Sequence, residues 1–139
     1  MKDLPLQRAA SVIIYDSNDR ILLAKQSSSK SFDPGLWETI GGKIEPGEAP
    51  LQALFREVSE ELGNEAILKD IEYFKQYAFQ GESKMLVSDV FMAHLEGDPK
   101  PLSAEIDELG WFTKAEALKL HFCVNRLERV KDFYRYRSA

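Results

Sequence analysis

Three glutamates, Glu57, Glu60 and Glu61, stand at i, i+3 and i+4. On a helix that spacing projects all three carboxylates from neighbouring positions. Like charges this close repel each other and destabilise the helix that carries them. A hard divalent cation with oxygen ligands turns that cost into a binding site. Mg²⁺ suits it best, keeping some waters and sharing the rest of its shell with substrate phosphates. Just before the helix, Gly41 to Gly47 contains three glycines and one proline, and such a loop can bring its backbone close to a ligand. Arg56 lies four residues before Glu60 and within reach of Glu48, where an ion pair would tie the loop to the helix. Three helical glutamates alone read as a solvated acidic face. The adjoining glycine loop favours a site for metal and phosphate.

The elements that position these groups follow from pattern. Leu51, Leu54, Phe55, Val58 and Leu62 recur at helical spacing and predict a buried stripe. Pro50 is tolerated in the first turn and Gly63 is placed as the C-terminal stop. Upstream, Ala10 to Tyr15 and Arg20 to Lys25 read as a hairpin across the turn residues Asp16 to Asp19. Ser27 to Pro34 reads as a polar loop, Trp37 to Ile40 as a short strand and Gly41 to Gly47 as a loop. Two longer strands are predicted around Ile67 to Phe79 and Lys84 to Leu95, then a short one at Trp111 and Phe112. Thr113 and Glu116 form a capping box for a helix to about Leu120, and a basic helix covers Val124 to Tyr136. Strands and helices in this order predict an α/β domain with a mixed sheet, one domain over residues 1–139.

Composition narrows the function classes. Hydrophobic residues at 44% and charged residues at 29% are an ordinary globular balance. The net charge of −5 disfavours a general nucleic-acid binder. It leaves a polyphosphate substrate open, since a bound divalent cation reverses the local field. One cysteine, Cys123, excludes an intrachain disulfide and fits a reducing cytoplasm. No apolar run is long enough for a signal peptide or a membrane span. The expectation is a cytoplasmic protein with a small-molecule partner and no membrane, with a homodimer left open.

Gly42 to Asn64, GKIEPGEAPLQALFREVSEELGN, resembles the signature box of the Nudix hydrolase family: Gly, five residues, Glu, seven residues, then Arg-Glu-aliphatic-any-Glu-Glu-any-Gly-aliphatic. Gly42, Glu48, Arg56, Glu57, Val58, Glu60, Glu61 and Gly63 match; Asn64 departs at a packing position. Leu36-Trp37-Glu38 with Gly41-Gly42 is similar to the MutT-like branch. The resemblance implies an α/β/α sandwich around a mixed sheet. It also implies Mg²⁺-dependent attack of water on a nucleoside diphosphate linkage, with Mn²⁺ able to substitute. The metal ligands it implies are Glu57 and Glu61, often with Glu60, and a backbone carbonyl at Gly41. Glu48 and Arg56 would orient loop and helix, and Gly42 would lie against substrate. Bound cations would neutralise the diphosphate, polarise the phosphoryl group and lower the pKa of a bound water.

Other residues divide between functional and bland readings. Glu105, better spaced from Trp111 than Glu108, resembles a late-loop glutamate that serves as a further metal ligand or general base; the alternative is a solvated acidic loop. Asn125 resembles a position whose amide contacts a purine, the amide both donating and accepting; the alternative is a helix cap. Trp37, Phe79 and Phe32 are candidates to stack on a base or to be core. His94 and His121 lack a zinc pattern, His94 falling on a strand, and Cys123 reads as a small buried hydrophobe. The basic residues of the last helix read as a solvated face. The expected reaction is nucleoside triphosphate pyrophosphohydrolysis, releasing the monophosphate and pyrophosphate. The alternatives are hydrolysis of nucleotide sugars, dinucleotides or other capped diphosphates, and a non-catalytic nucleotide-binding domain. The complete set of box carboxylates argues against the last.

Overall fold

The computed structural model describes residues 3–28 and 34–138; Phe32 lies outside the described residues. Seven strands form one sheet: β1 (Leu6–Tyr15), β2 (Ile21–Gln26), β3 (Trp37–Glu38), β4 (Ile40–Lys43), β5 (Ile67–Gln80), β6 (Met85–Glu96) and β7 (Ile106–Phe112). The helices are α1 (Pro50–Leu62), α2 (Lys114–Ala117) and α3 (Arg126–Arg137). The main strand order is β3-β2-β1-β6-β5, with β4 paired to β1 and β7 to β2. β1 and β6 run parallel and the other pairs antiparallel, so the sheet is mixed. Asp16 Oδ1 accepts the N–H groups of Asn18 and Arg20, each at 2.9 Å, and so closes the β1–β2 turn.

Alternation along β1 divides the core into two layers. Ala10, Val12 and Ile14 pack with Ala53, Leu54, Val58 and Leu62 of α1. Ile13 and Tyr15 point the other way, joining Ile21 and Leu23 against Ala117, Val130, Phe133 and Tyr134. Helices therefore cover both faces, giving the expected α/β/α sandwich. Among the described residues, no helix is long and apolar enough to cross a membrane.

Three local expectations change. Gly41, Gly42 and Lys43 are not loop but strand, paired with Ser11, Ala10 and Ala9 of β1. The last strand begins at Ile106 rather than Trp111, because its whole length pairs with β2. Leu51 and Phe55, predicted in the buried stripe, are 40% and 49% exposed. Counting about 100° per residue, they project beyond Val58, away from the Leu54 side that meets the sheet. Leu62 on that same flank is buried because the following chain folds over the helix end. Lys100 N–H donates to Leu62 O and Leu102 N–H to Glu61 O, both at 3.1 Å. Gly63 stops the helix as expected, with φ 95° and its N–H on Ser59 O. The Thr113–Glu116 capping box forms, though it caps only the short α2.

Candidate metal and phosphate site

Rotation of α1 decides where the glutamates go. The same 100° step places Glu57 and Glu61 between Ala53 and Leu54, on the helix flank that meets the sheet. Their carboxylates therefore turn toward β4. Gly41 N–H donates to Glu61 Oε2 at 3.1 Å. A Cβ on Gly42 would lie 2.5 Å from the carboxyl carbon of Glu57, so only glycine leaves that carboxylate its place. Gly41 has φ +149°, and a Cβ there would meet Ala10 O at 2.3 Å. The two glycines are thus required where strand, helix and carboxylates converge. Glu60 differs: its side chain is 58% exposed and it lies at the rim, 3.5 Å from Arg56.

Arg56 fastens this arrangement. Its Nε and one terminal nitrogen donate to the two oxygens of Glu48 at 2.8 and 2.9 Å. The same terminal nitrogen reaches Lys43 O at 2.9 Å, and the other reaches Glu57 Oε1 at 3.0 Å. Glu48 also accepts Glu45 N–H at 2.8 Å. The Arg56 hydrogen bonds hold the Glu48 carboxyl down at about 2. The expected tie between loop and helix is therefore present as a two-pronged ion pair.

The electrostatics of the other carboxylates run the opposite way. Burial pushes Glu61 up to about 9, with the charge of Glu57 next and Glu38 and Glu105 adding to it. Burial also raises Glu57, against the pull of Arg56, and Glu60 and Glu105 push it further. Glu105 thus lies close enough to act on both carboxylates, whereas Glu108 belongs to β7, opposite Lys25. Among the described residues, no three His, Cys, Asp or Glu side chains close into a ready-made metal cage. What is present is two half-buried carboxylates with only Arg56 for a cation, beside a strand end and an acidic loop. That donor set fits Mg²⁺, which takes one or two carboxylates and fills the rest of its shell with water and phosphate oxygens.

One residue of the site had no role in the sequence analysis. Glu38 on β3 accepts Arg126 Nε and a terminal nitrogen at 2.9 and 2.7 Å, and Gln26 donates to its other oxygen at 3.1 Å. It links the carboxylate centre to the start of α3. Its place directly after Trp37 in the quoted Leu36-Trp37-Glu38 was the available signal. The Trp37 ring itself is 8% exposed and packs edge-on to Phe112 with centroids 4.9 Å apart. Its main chain joins the 121–123 segment, Trp37 N–H to His121 O and Cys123 N–H to Trp37 O. Phe79 is 36% exposed at the end of β5, and Cys123 is buried. Asn125 stands before α3 with φ 66° and makes no side-chain cap hydrogen bond. Its amide borders a recess shared with Arg126 and Arg129.

Comparison with known proteins agrees with this geometry. The NUDIX domain model matches residues 5–133. The chain is 35% identical over 127 residues to a CTP pyrophosphohydrolase of Escherichia coli, covering 91% of this chain and 90% of that protein. It is 32% identical over 121 residues to an isopentenyl-diphosphate Δ-isomerase of Streptomyces griseus, covering 84% of this chain but spanning only 61% of the isomerase. The crystal structure of a MutT protein from Methanosarcina mazei shares the fold, with a TM-score of 0.83 at 24% identity and full coverage of both chains. With a family match running almost end to end and the box carboxylates gathered at one strand, the chain belongs to the Nudix hydrolase family.

Proposed function

We propose that this enzyme is a Mg²⁺-dependent nucleoside triphosphate pyrophosphohydrolase. Water attacks phosphorus, the bridging P–O bond breaks, and a nucleoside monophosphate, pyrophosphate and a proton are released. The observation that carries the reading is the pair Glu57 and Glu61, half-buried together against Gly41 and Gly42. Two carboxylates in that position destabilise the protein unless a cation joins them. The similarity to a CTP pyrophosphohydrolase along 90% of that protein's length supports the choice of substrate class.

In this reading Glu57 and Glu61 hold Mg²⁺, with the Gly41 carbonyl adjoining and Glu60 contributing from the rim. Bound Mg²⁺ supplies neutralisation of the phosphates and polarisation of the attacked phosphoryl group. The chain's own residues do the rest. Arg56 clamps Glu48 and so fixes the 43–48 loop against α1. Arg56 also holds one oxygen of Glu57, which sets the direction of the other. Glu105 takes the proton of the attacking water on its carboxylate, since its charge already reaches the centre. Gly42 leaves room for the Glu57 carboxylate that meets the phosphates through the cation, and Asn125 hydrogen-bonds the base. The work is mainly positioning and charge stabilisation, as phosphoryl transfer requires.

The test is a panel of nucleoside triphosphates, nucleotide sugars, dinucleotides and isopentenyl diphosphate, with Mg²⁺ and with chelator. Pyrophosphate released from triphosphates, abolished by chelation, is expected. Turnover confined to sugars or dinucleotides moves the substrate class, and isomerisation of isopentenyl diphosphate without hydrolysis overturns the reading.

A further inference from the structure

Arg129 presents a buried charge with no ion-pair partner among the described residues. Its residue is 4% exposed. One terminal nitrogen reaches Ser11 Oγ at 3.3 Å. Its Nε, buried from solvent, has no hydrogen-bond partner among the described residues. The guanidinium lies over the Tyr77 ring, 5.3 Å from the centroid. The carboxylates around it are committed elsewhere. Glu38 is forked by Arg126 and bonded by Gln26, and Asp132 takes Lys75, Tyr77 and Arg135. Burial lowers the Arg129 pKa to about 10, with Arg126 adding to the effect, so the group is a cation at neutral pH. Burying such a cation unpaired is costly, and replacement by an apolar side chain is commonly neutral or stabilising. A ligand that supplies an acceptor would offset that cost.

The surroundings indicate what kind of ligand. Arg129 and Asn125 line a recess whose walls include Ala9, Phe79, Leu86 and Val87. Through Phe79, Leu86 and Arg126 the recess joins an open groove of about 590 Å³ between the β5–β6 turn and Val124. The recess itself is small, about 70 Å³, and with the mainly apolar groove beside it there is room for the edge of a planar ring system. The phosphates have their own place at the carboxylate centre, which the Glu38–Arg126 pair joins to the recess. We propose that Arg129 is a specificity-determining residue that reads a carbonyl oxygen on the substrate base and turns adenine away, an inference that rests on the nucleotide-hydrolase reading. An arginine offers donors only. Guanine presents O6, an acceptor for the remaining terminal nitrogen that is neither bonded to Ser11 nor shut off from solvent. Cytosine, uracil and thymine also carry carbonyl oxygens. Adenine has none and would set its amino group against a donor. Asn125 both donates and accepts, so it does not impose this choice.

Isothermal titration of the full chain in Mg²⁺ with GMP, CMP and AMP, for native protein, Arg129→Met and Arg129→Lys, tests the proposal. Native protein is expected to bind GMP and CMP at least roughly tenfold more tightly than AMP, the scale of one hydrogen bond to a charged group. Arg129→Met weakens GMP and CMP by roughly ten- to a hundredfold and leaves AMP almost unchanged. Arg129→Lys keeps the charge without the guanidinium and retains part of the preference. Melting curves check folding; if Arg129→Met does not fold, Arg129→Lys carries the comparison. Absence of a preference in native protein, or a preference that survives in the variants, overturns the proposal. So does an equal loss of inorganic pyrophosphate binding in Arg129→Met, which would make Arg129 a phosphate clamp. Binding with this preference by a protein that hydrolyses no nucleotide refutes the hydrolase reading and leaves the base contact standing.

Discussion

The two faces of the sheet carry opposite electrical problems. On the α1 side, Glu57 and Glu61 have one guanidinium between them, Arg56 on Glu57, and burial pushes both carboxyls up. On the α3 side, Arg129 is positive and has no ion-pair partner among the described residues, and burial pushes it down against the pull of Glu38. Elsewhere the chain solves the same problem with its own groups. Asp89, 7% exposed, is met by Arg8 at 3.1 Å, Tyr73 at 3.2 Å and Gln76 at 3.0 Å. Buried charge is therefore not beyond this fold's means to satisfy. In two places it stands only partly satisfied, with the Glu38–Arg126 pair between them, as the proposed nucleotide with a phosphate end and a base end requires.

The largest effect expected from breaking this contrast is at the carboxylates. In saturating Mg²⁺, Glu57→Gln and Glu61→Gln should each lower kcat by about a hundredfold or more, the scale of losing metal-borne charge stabilisation. Glu60→Gln, at the exposed rim, should lose less. Metal-free Glu61→Gln should melt higher than native protein at neutral pH, because glutamine avoids the cost of protonating a carboxyl whose pKa is raised to about 9 or of burying its charge. Near-normal kcat in both inner variants would take the helix out of the mechanism.

Next comes the glycine that makes room for one of them. Gly42→Ala sets a Cβ on the Glu57 carboxylate, so the carboxylate must move. Displacements near 1 Å cost on the order of a hundredfold in rate. The expected result is a fall in kcat of roughly ten- to a hundredfold, with Mg²⁺ affinity weakened alongside. Unchanged kinetics would show that the site does not depend on this placement of Glu57.

On the other face, Asn125→Ala should raise KM for purine nucleotides more than for pyrimidine ones. The loss of one hydrogen bond in a desolvated site amounts to about 1–3 kcal/mol. Equal effects on both classes would leave Asn125 with a backbone role, at the turn where its φ is 66°.

The carboxylate side was legible in the sequence because its parts are close in the chain: Gly42, Glu48, Arg56, Glu57 and Glu61 fall within 23 residues. The strands and both layers were legible for a similar reason, since alternation and helical spacing are local signals. The rotation of α1 was not. Apolar periodicity put Leu51 and Phe55 inside, whereas the buried flank includes the two glutamates, a sacrifice of apolar burial that hydrophobicity alone does not reveal. The glycines at 41 and 42 read as loop because strand propensity disfavours glycine, and their pairing with β1 comes from residues some thirty positions away. The α3 side was hardest to read. Arg129 sits among several basic residues of one helix, and only packing against Ser11 and Tyr77 separates it from the solvated ones.

The smallest effect sharpens the contrast between satisfied and unsatisfied carboxylates. Glu48 is a half-exposed acid at the surface held by two hydrogen bonds from Arg56 and one from Glu45 N–H. Its folded-state pKa, about 2, lies below the ordinary value of 4.5. A depressed carboxyl pKa stabilises the fold above the unfolded-state value, and that stabilisation is lost as pH falls toward the folded-state value. Between about pH 4.5 and 2 the native protein should therefore lose a contribution that Glu48→Gln never had. At neutral pH the variant should melt slightly below native protein, because a surface ion pair contributes little. The gap between the two melting curves should close as the solution is acidified through that window. Glu61 is raised rather than lowered, so its substitution cannot produce this pattern. A gap that stays constant down to pH 2 would mean that the clamp from loop to helix is held by Lys43 O and Glu57 without help from Glu48.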